Sequence, residues 1–288
     1  MTMIMMLNLK GGVAKTTNAV AIAEYLATMK KKILFIDADH QYTASELLIG
    51  EERCLEQDSK RKTLHDLLSS MMSEDFESSI LEKYITKDAS NISRIRKYID
   101  CIPCSYRIDE FTSNIAKAKK GYLGDDEFQK KWLNQKRKLH RWCLKNYDFT
   151  IVDCPPSLAI QVRFFLGCAD FFIAPTIPDR LSVRGTAYLL ERIRKRGHKR
   201  IRPLGSLWSM VRVQNRKHKE MMKIIEDGKC QYEGIPKPFQ TYIPNMAAIS
   251  NAMENNKEFV KFNDKYKSQS TKLYKTLCQE IIERLEKN

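Results

Sequence analysis

Eight consecutive residues, Lys10-Gly11-Gly12-Val13-Ala14-Lys15-Thr16-Thr17, bring together two lysines, two hydroxyls and a glycine pair. They follow the apolar run Ile4–Leu9 and precede residues 18–29, whose pattern predicts a helix. The order strand, glycine-rich turn, helix is the context a phosphate-binding loop requires. Gly11 and Gly12 free the backbone to aim N–H groups at an anion, and the start of the helix adds unpaired N–H groups and a favourable dipole. Lys15 is then placed to reach β- and γ-phosphates, and Thr16 to offer its hydroxyl to Mg²⁺. The strict spacing Gly-x-x-x-x-Gly-Lys-Ser/Thr is missed twice, because Leu9 and Ala14 stand where its glycines belong. A helical backbone at position 14 would tolerate the alanine methyl.

Acidic chemistry recurs at the ends of two further apolar runs. Lys32-Ile-Leu-Phe-Ile-Asp-Ala-Asp39 reads as a buried parallel strand ending in Asp37 and Asp39. Asp148-Phe-Thr-Ile-Val-Asp153 repeats the pattern, and Asp153 suits a carboxylate that holds Mg²⁺ through water. Doubly wound sheets bind ligands beyond the carboxyl ends of their strands, so all three segments point to one edge. Cys101-x-x-Cys104 could form a metal knuckle or redox pair, but no second pair follows at zinc-site spacing. Buried thiols are the preferred reading.

The elements that must position these groups recur along the chain. Strands are expected at 99–103, 148–153, 171–174 and 204–211, with a short last one at Tyr242-Ile243. Helices are expected near 64–68, 113–145, 158–167, 182–196, 216–226 and 271–287, while 50–62 reads as polar surface. The expected fold is α/β, a mostly parallel central sheet flanked by helices. It is read as one domain over 1–288, with helical decorations near 50–70, 113–145 and 255–288. The chain has 288 residues, 43% of them hydrophobic and 30% charged, which supports a real core and argues against global disorder. No apolar stretch approaches membrane-spanning length.

These landmarks resemble the ParA/MinD group of deviant Walker A P-loop ATPases, and within it the ParA/Soj partition type. The matching segments are KGGVAKTT at 10–17, DADHQ at 37–41, YDFTIVDCPPS at 147–157, APTIPDRLSVRG at 174–185 and YIPNMAAISNA at 242–252. The resemblance implies ATP and Mg²⁺ as ligands. It makes Lys10 the signature lysine that reaches the partner's phosphates across a nucleotide-sandwich homodimer, and Lys15 the Walker A lysine. Gly11, Gly12, Val13, Ala14, Lys15, Thr16 and Thr17 form the phosphate cradle. Thr16 and Asp153 serve the metal, with Asp37 near its hydration shell, and Asp39 positions the attacking water. Pro175 and Pro178, in the loop to Asp179, fall where the family forms part of an adenine pocket. Two departures stand out: Ala14 replaces the usual glycine, and His40 replaces the usual proline after the second aspartate.

The chain carries 50 Lys+Arg against 35 Asp+Glu, a net charge of +15, which favours a polyanionic partner. Seven of the residues in 191–202 are basic: Arg192, Arg194, Lys195, Arg196, Lys199, Arg200 and Arg202. Arg216, Lys217 and Lys219 add a second cluster. Such clusters can grip phosphate backbones without reading sequence. The resemblance implies binding of non-specific double-stranded DNA in the ATP state, plasmid or chromosome partition, and activation of a slow ATPase by a ParB-like centromere-binding partner. It also implies a cytoplasmic, nucleoid-associated protein of a bacterium or archaeon. A MinD-like membrane-associated ATPase is the alternative. The acidic Glu280, Glu283 and Glu286 dilute the charge of the C-terminal amphipathic segment, so stable membrane association is not expected. A weakly hydrolysing, nucleotide-gated DNA-binding scaffold is a further alternative.

Overall fold

The computed structural model describes the chain except residues 73–75, 112, 114, 116–124, 196–199, 233 and 255–256. Its centre is a six-stranded sheet: β1 (Thr2–Met6), β2 (Ile33–Asp37), β3 (Ile99–Ile102), β4 (Phe149–Asp153), β5 (Phe171–Thr176) and β6 (Arg202–Trp208), in the order β3-β2-β4-β1-β5-β6. Every pairing is parallel. This is the P-loop NTPase arrangement expected from the sequence, with β1 innermost and its loop at the carboxyl edge.

Strand alternation divides the core between two faces. Ile4 and Met6 of β1 point into one apolar layer and Met3 and Met5 into the other, all nearly inaccessible to solvent. The first layer is closed by α1 (Lys15–Thr28) and the C-terminal helix, with α2 (Thr43–Ile49) and α3 (Glu51–Ser59) at its margin. The opposite layer is closed by α4 (Leu64–Ser70), α5 (Asp125–Asn146), α6 (Ile160–Leu166) and α7 (Arg180–Lys195). The part of the expected 113–145 helix at 116–124 lies outside the described residues. A smaller cluster joins Val183, Trp208 and Val211 to Met221, Met222 and Ile225 of α8 (Arg216–Glu226).

Segment 50–62 is surface as expected, and is largely the helix α3, in which only Cys54 is buried. Two local expectations are corrected. Tyr242-Ile243 does not form a strand. The segment runs beside β6 and makes only isolated parallel bridges, Ser206 with Pro238 and Val211 with Pro244. Each bridge is made by the neighbours of its proline: the Lys237 carbonyl and Phe239 N–H bond Ser206, and the Ile243 carbonyl and Asn245 N–H bond Val211. The last helix, α10, starts earlier than expected and spans Phe262–Glu286, interrupted at Lys267, where φ is 62° and ψ 162°. Between these lies the short helix α9 (Ala247–Asn251).

Tyr274, Leu277, Cys278 and Ile281 of α10 are buried against α1 and the sheet. A fully buried ion pair ties the two helices: Lys265 Nζ donates to Glu24 at 2.8 and 2.9 Å, and the Tyr266 hydroxyl donates to the same carboxylate at 2.7 Å. Among the described residues, no helix is long and apolar enough to cross a membrane.

Candidate nucleotide site

Parallel register assembles the site. Met6 and Asp37 both pair with Asp153, which puts the loop after β1 and the ends of β2 and β4 side by side. The Ala38 N–H donates to the Asp153 carbonyl at 2.9 Å and continues that alignment one residue past β2.

The loop backbone is held by side chains distant in sequence. Asn8 accepts from the Lys10 N–H at 3.0 Å, while its amide donates to the Pro175 carbonyl at 2.6 Å. The Ser209 hydroxyl donates to the Val13 carbonyl at 2.7 Å. Gly12 adopts φ 69°, a left-handed conformation that suits glycine. Ala14 is also left-handed, with φ 59° and ψ 38°, as the N-cap of α1. The expectation that a helical backbone would accommodate Ala14 is therefore corrected: the usual glycine is missing where it is wanted, at a cost of about 1–2 kcal/mol. Asn18, fully buried, donates from its side-chain amide to the Ala14 carbonyl at 2.8 Å.

Lys15 is buried, and burial pulls its ammonium below the usual lysine range against the opposing pull of Asp153. Its Nζ donates to the Lys10 carbonyl at 3.1 Å, so the ammonium folds over the loop that would receive a phosphate. Lys10 points elsewhere, to Asp179 at 3.0 Å, with about a third of each side chain exposed.

The acidic groups differ sharply. Asp37 is fully buried and fully engaged: Oδ1 accepts from the Asp39 N–H at 3.0 Å, and Oδ2 from the Ser45 N–H at 2.9 Å and hydroxyl at 2.7 Å. Burial lifts its carboxyl to about 6 even though these bonds favour the charged form. Asp153 is equally buried, yet among the described residues no well-formed hydrogen bond reaches either carboxylate oxygen, and the nearby Thr16 hydroxyl stands close enough to favour its charged form. Burial first, then the neighbouring Asp37, push it well above the usual carboxylate range, while Thr16 and Lys15 pull the other way. A buried, unsatisfied carboxylate beside a second acid is costly unless a cation joins it. With the Thr16 side chain beside it, this donor set fits Mg²⁺. Asp37 is instead committed to anchoring the start of α2.

Asp39 is mostly enclosed; its Oδ1 accepts from the Gln41 N–H at 3.1 Å and lies 3.6 Å from Nδ1 of the half-exposed His40. Pro175 and Pro178 are buried and do not line the cavity beside the phosphate loop. That cavity, about 260 Å³, has Gly12, Ala14 and Thr17 on one wall and Met210, Pro244, Asn245 and Met246 on the other. The motif at 242–252 thus faces the loop, and the Pro175–Asp179 segment instead supplies Asp179 to Lys10. Cys101 and Cys104 are buried free thiols, both pushed up by burial.

The basic candidates separate by what they touch. Arg194, Lys217 and Lys219 are exposed, as are Lys195, which pairs with Glu191, and Arg216, which pairs with Glu220, while Arg192 is half-buried over the Tyr188 ring. Arg200 is exposed too, but contacts His140 at 2.9 Å and lies 3.5 Å from Asp170. Arg202 sits over the Phe171 ring and donates to the Asn288 carbonyl. Arg196 and Lys199 lie outside the described residues.

Sequence reasoning missed Asn8, Asn18, Ser45 and Ser209. Asn18 and Asn8 carried local signals: an amide four residues after the loop alanine, within reach of its carbonyl, and a side-chain oxygen that meets the N–H two residues on. Ser209 and Val13 are 196 residues apart, and nothing local links them.

Residues 1–203 match the protein family described as AAA domain. The chromosome-partitioning ATPase Soj of Treponema pallidum is 26% identical over 284 residues, covering 98% of this chain and 97% of that protein. In fold, the chain is similar to pNOB8 ParA bound to nonspecific DNA, with a TM-score of 0.70, 20% identity and coverage of 100% and 99% of the two chains. It is similar too to a plasmid partition protein of Borrelia burgdorferi bound to AMPPNP, with a TM-score of 0.65, 18% identity and coverage of 99% and 98%. With the phosphate loop, the strand-end acids and the all-parallel sheet in place, the chain belongs to the AAA-domain family and, within it, is of the ParA/Soj type.

Proposed function

We propose that this protein is a Mg²⁺-dependent ATPase that dimerises around ATP, binds non-specific DNA in that state and serves plasmid or chromosome partition. The observation that carries the reading is the orphaned Asp153 carboxylate beside Lys15 and Thr16, at the mouth of a loop shaped for phosphates. Thr16 and Asp153 would hold Mg²⁺, which when bound supplies positive charge to the β- and γ-phosphate oxygens. Lys15 exchanges the Lys10 carbonyl for a phosphate oxygen and meets charge as it builds there. The loop N–H groups of residues 11–17 cradle the phosphates, and Asp39 orients the attacking water. The base occupies the cavity between Ala14 and Asn245.

Lys10 would complete the cage in the partner subunit. To do so it must leave Asp179, and a pair this exposed is worth only about 0–1 kcal/mol, so a phosphate can displace it. Borrowing a cation in trans ties hydrolysis to the dimer, and ATP then times the dimer's lifetime. The AMPPNP and DNA complexes of the similar folds support the ligands assigned here. The buried apolar face of α10 favours DNA over a membrane as the ATP-state surface. The exposed cations Arg194, Lys217 and Lys219 would contact DNA, and Lys195 would do so by leaving its pair with Glu191; Arg200 and Arg202 are exposed as well, but their guanidiniums already contact groups of the fold. A centromere-binding protein of the ParB kind would stimulate turnover.

The test is binding to random-sequence duplex DNA without nucleotide, with ADP and with ATP plus Mg²⁺, alongside sizing of each state. The expected outcome is a dimer and DNA binding with ATP only, weakening steeply as salt rises. A dimer that ignores DNA would remove the partition reading and leave nucleotide binding intact.

A further inference from the structure

We infer that Tyr274 and Asn18 form a positioning relay through which the C-terminal helix α10 sets nucleotide affinity. The inference rests on the nucleotide site proposed above.

The relay begins at the strained Ala14. Its carbonyl already accepts the helical N–H of Asn18 at 3.1 Å, and the Asn18 side-chain amide adds a second donor at 2.8 Å. A carbonyl can only accept, so the amide nitrogen must face Ala14 and the side-chain oxygen must turn away. That oxygen meets the Tyr274 hydroxyl at 3.1 Å, which must therefore donate. Asn18 and Tyr274 are both fully buried, so water cannot substitute for either. Burial also keeps the phenol protonated, as the donor role demands.

Helix α10 is fixed where the relay needs it. The Lys265–Glu24 pair and the Tyr266 hydroxyl lock it onto α1 upstream of Tyr274. On the same helix, Ser270 lies 3.9 Å from the sulfur of Met246, which lines the opposite wall of the cavity. One helix thus buttresses both the phosphate loop and the wall facing it. A left-handed alanine is strained and tends toward other conformations, whereas a glycine adopts φ near +60° without that strain, so a clamp matters more with alanine at this position.

Removing the Tyr274 hydroxyl leaves the Asn18 oxygen buried without a donor and frees the amide to turn from Ala14. The test measures binding of fluorescent ATP and ADP analogues to the full chain. Tyr274→Phe, which keeps the ring, should raise Kd for both by about fivefold, the effect of one neutral hydrogen bond. In steady-state turnover KM should rise in step, while kcat changes by about twofold or less. In an Ala14→Gly background the Tyr274→Phe effect should shrink to about twofold or less, because glycine adopts φ near +60° without the strain the relay offsets in alanine. Unchanged affinity in Tyr274→Phe overturns the relay. An equal loss in both backgrounds also overturns it, because Tyr274 would then act through stability alone. Wild-type protein that binds neither analogue overturns the nucleotide site itself, and the relay with it.

Discussion

Asp37 and Asp153 end neighbouring strands, pair in register and are both sealed from solvent, yet one is saturated with hydrogen bonds and the other has none. The difference is between a carboxylate the fold needs and one the fold tolerates. Asp37 anchors the start of α2 through Ser45, and the Ser45 hydroxyl in turn accepts from the Cys104 N–H at 3.0 Å, which joins β2, α2 and the turn after β3. Asp153 contributes nothing of this kind. A buried charge without partners is costly, and a cation arriving with the ligand, as proposed above, would offset that cost. Hydrogen-bond accounting therefore separates two aspartates that look alike in sequence.

Substitution at Asp153 should give the largest effect and the clearest break of this comparison. Asp153→Asn is expected to lower ATP turnover by about 100-fold or more, a transition-state loss of about 3 kcal/mol. The nucleotide-free protein should melt at the same or a higher temperature than wild type, because an unpaired buried carboxylate has been neutralised. A turnover assay with parallel thermal melts reads both, and a lower melting temperature would mean that Asp153 is structural after all.

Asp37→Asn should behave in the opposite way. The amide cannot accept from all three donors that Asp37 now satisfies, so stability should fall by about 2 kcal/mol in denaturant titrations. If the variant were as stable as wild type, with turnover lost instead, the two aspartates would have to exchange roles.

The smallest effect concerns pH. Burial raises both carboxyls, Asp37 to about 6, so the folded chain holds these protons more tightly than the unfolded chain does. The Asp37 contribution is fully present below about pH 4 and is lost as pH rises through 6, and that of Asp153 is lost in the same direction as pH rises through its own raised value. Asp153→Asn should weaken this loss, because it removes one of the two acids and relieves the repulsion on the other. Denaturation midpoints of wild type and variant, compared between pH 4.5 and 7.5, should diverge by about 1 kcal/mol in favour of the variant at the higher pH. Parallel curves would remove the electrostatic coupling from the account.

Much of the fold was legible because its signals are local. Apolar runs ending in acids marked β2 and β4, and helical periodicity placed α8 at 216–226. The phosphate loop announced itself through strand, glycines and lysine in order. What escaped detection depends on partners far along the chain. A helical backbone that accommodates Ala14 is the local expectation just before the helix at 18–29; the left-handed turn there is set by the loop around it, with Gly12 before it and the Ser209 and Asn8 bonds. The wall facing the phosphate loop comes from residues 243–250, beyond Pro175 and Pro178, and only the path of the chain beside β6 brings it there. The basic cluster at 191–202 looked uniform, but contacts with His140, Asp170 and Phe171 engage Arg200 and Arg202 within the fold.

The sequence by itself determined the α/β architecture, the phosphate loop, the strand-end acids and the positive charge, because each is written in the type and spacing of neighbouring residues. The tertiary structure alone decided which of the two aspartates is left without hydrogen bonds, which cations are engaged by contacts within the fold, which residues wall the cavity beside the loop and that α10 reaches the loop. Those outcomes turn on burial and on hydrogen bonds between residues up to 256 positions apart, as between Asn18 and Tyr274. Donors and acceptors so distant meet only after the sheet has fixed its register and the helices have closed over its two faces.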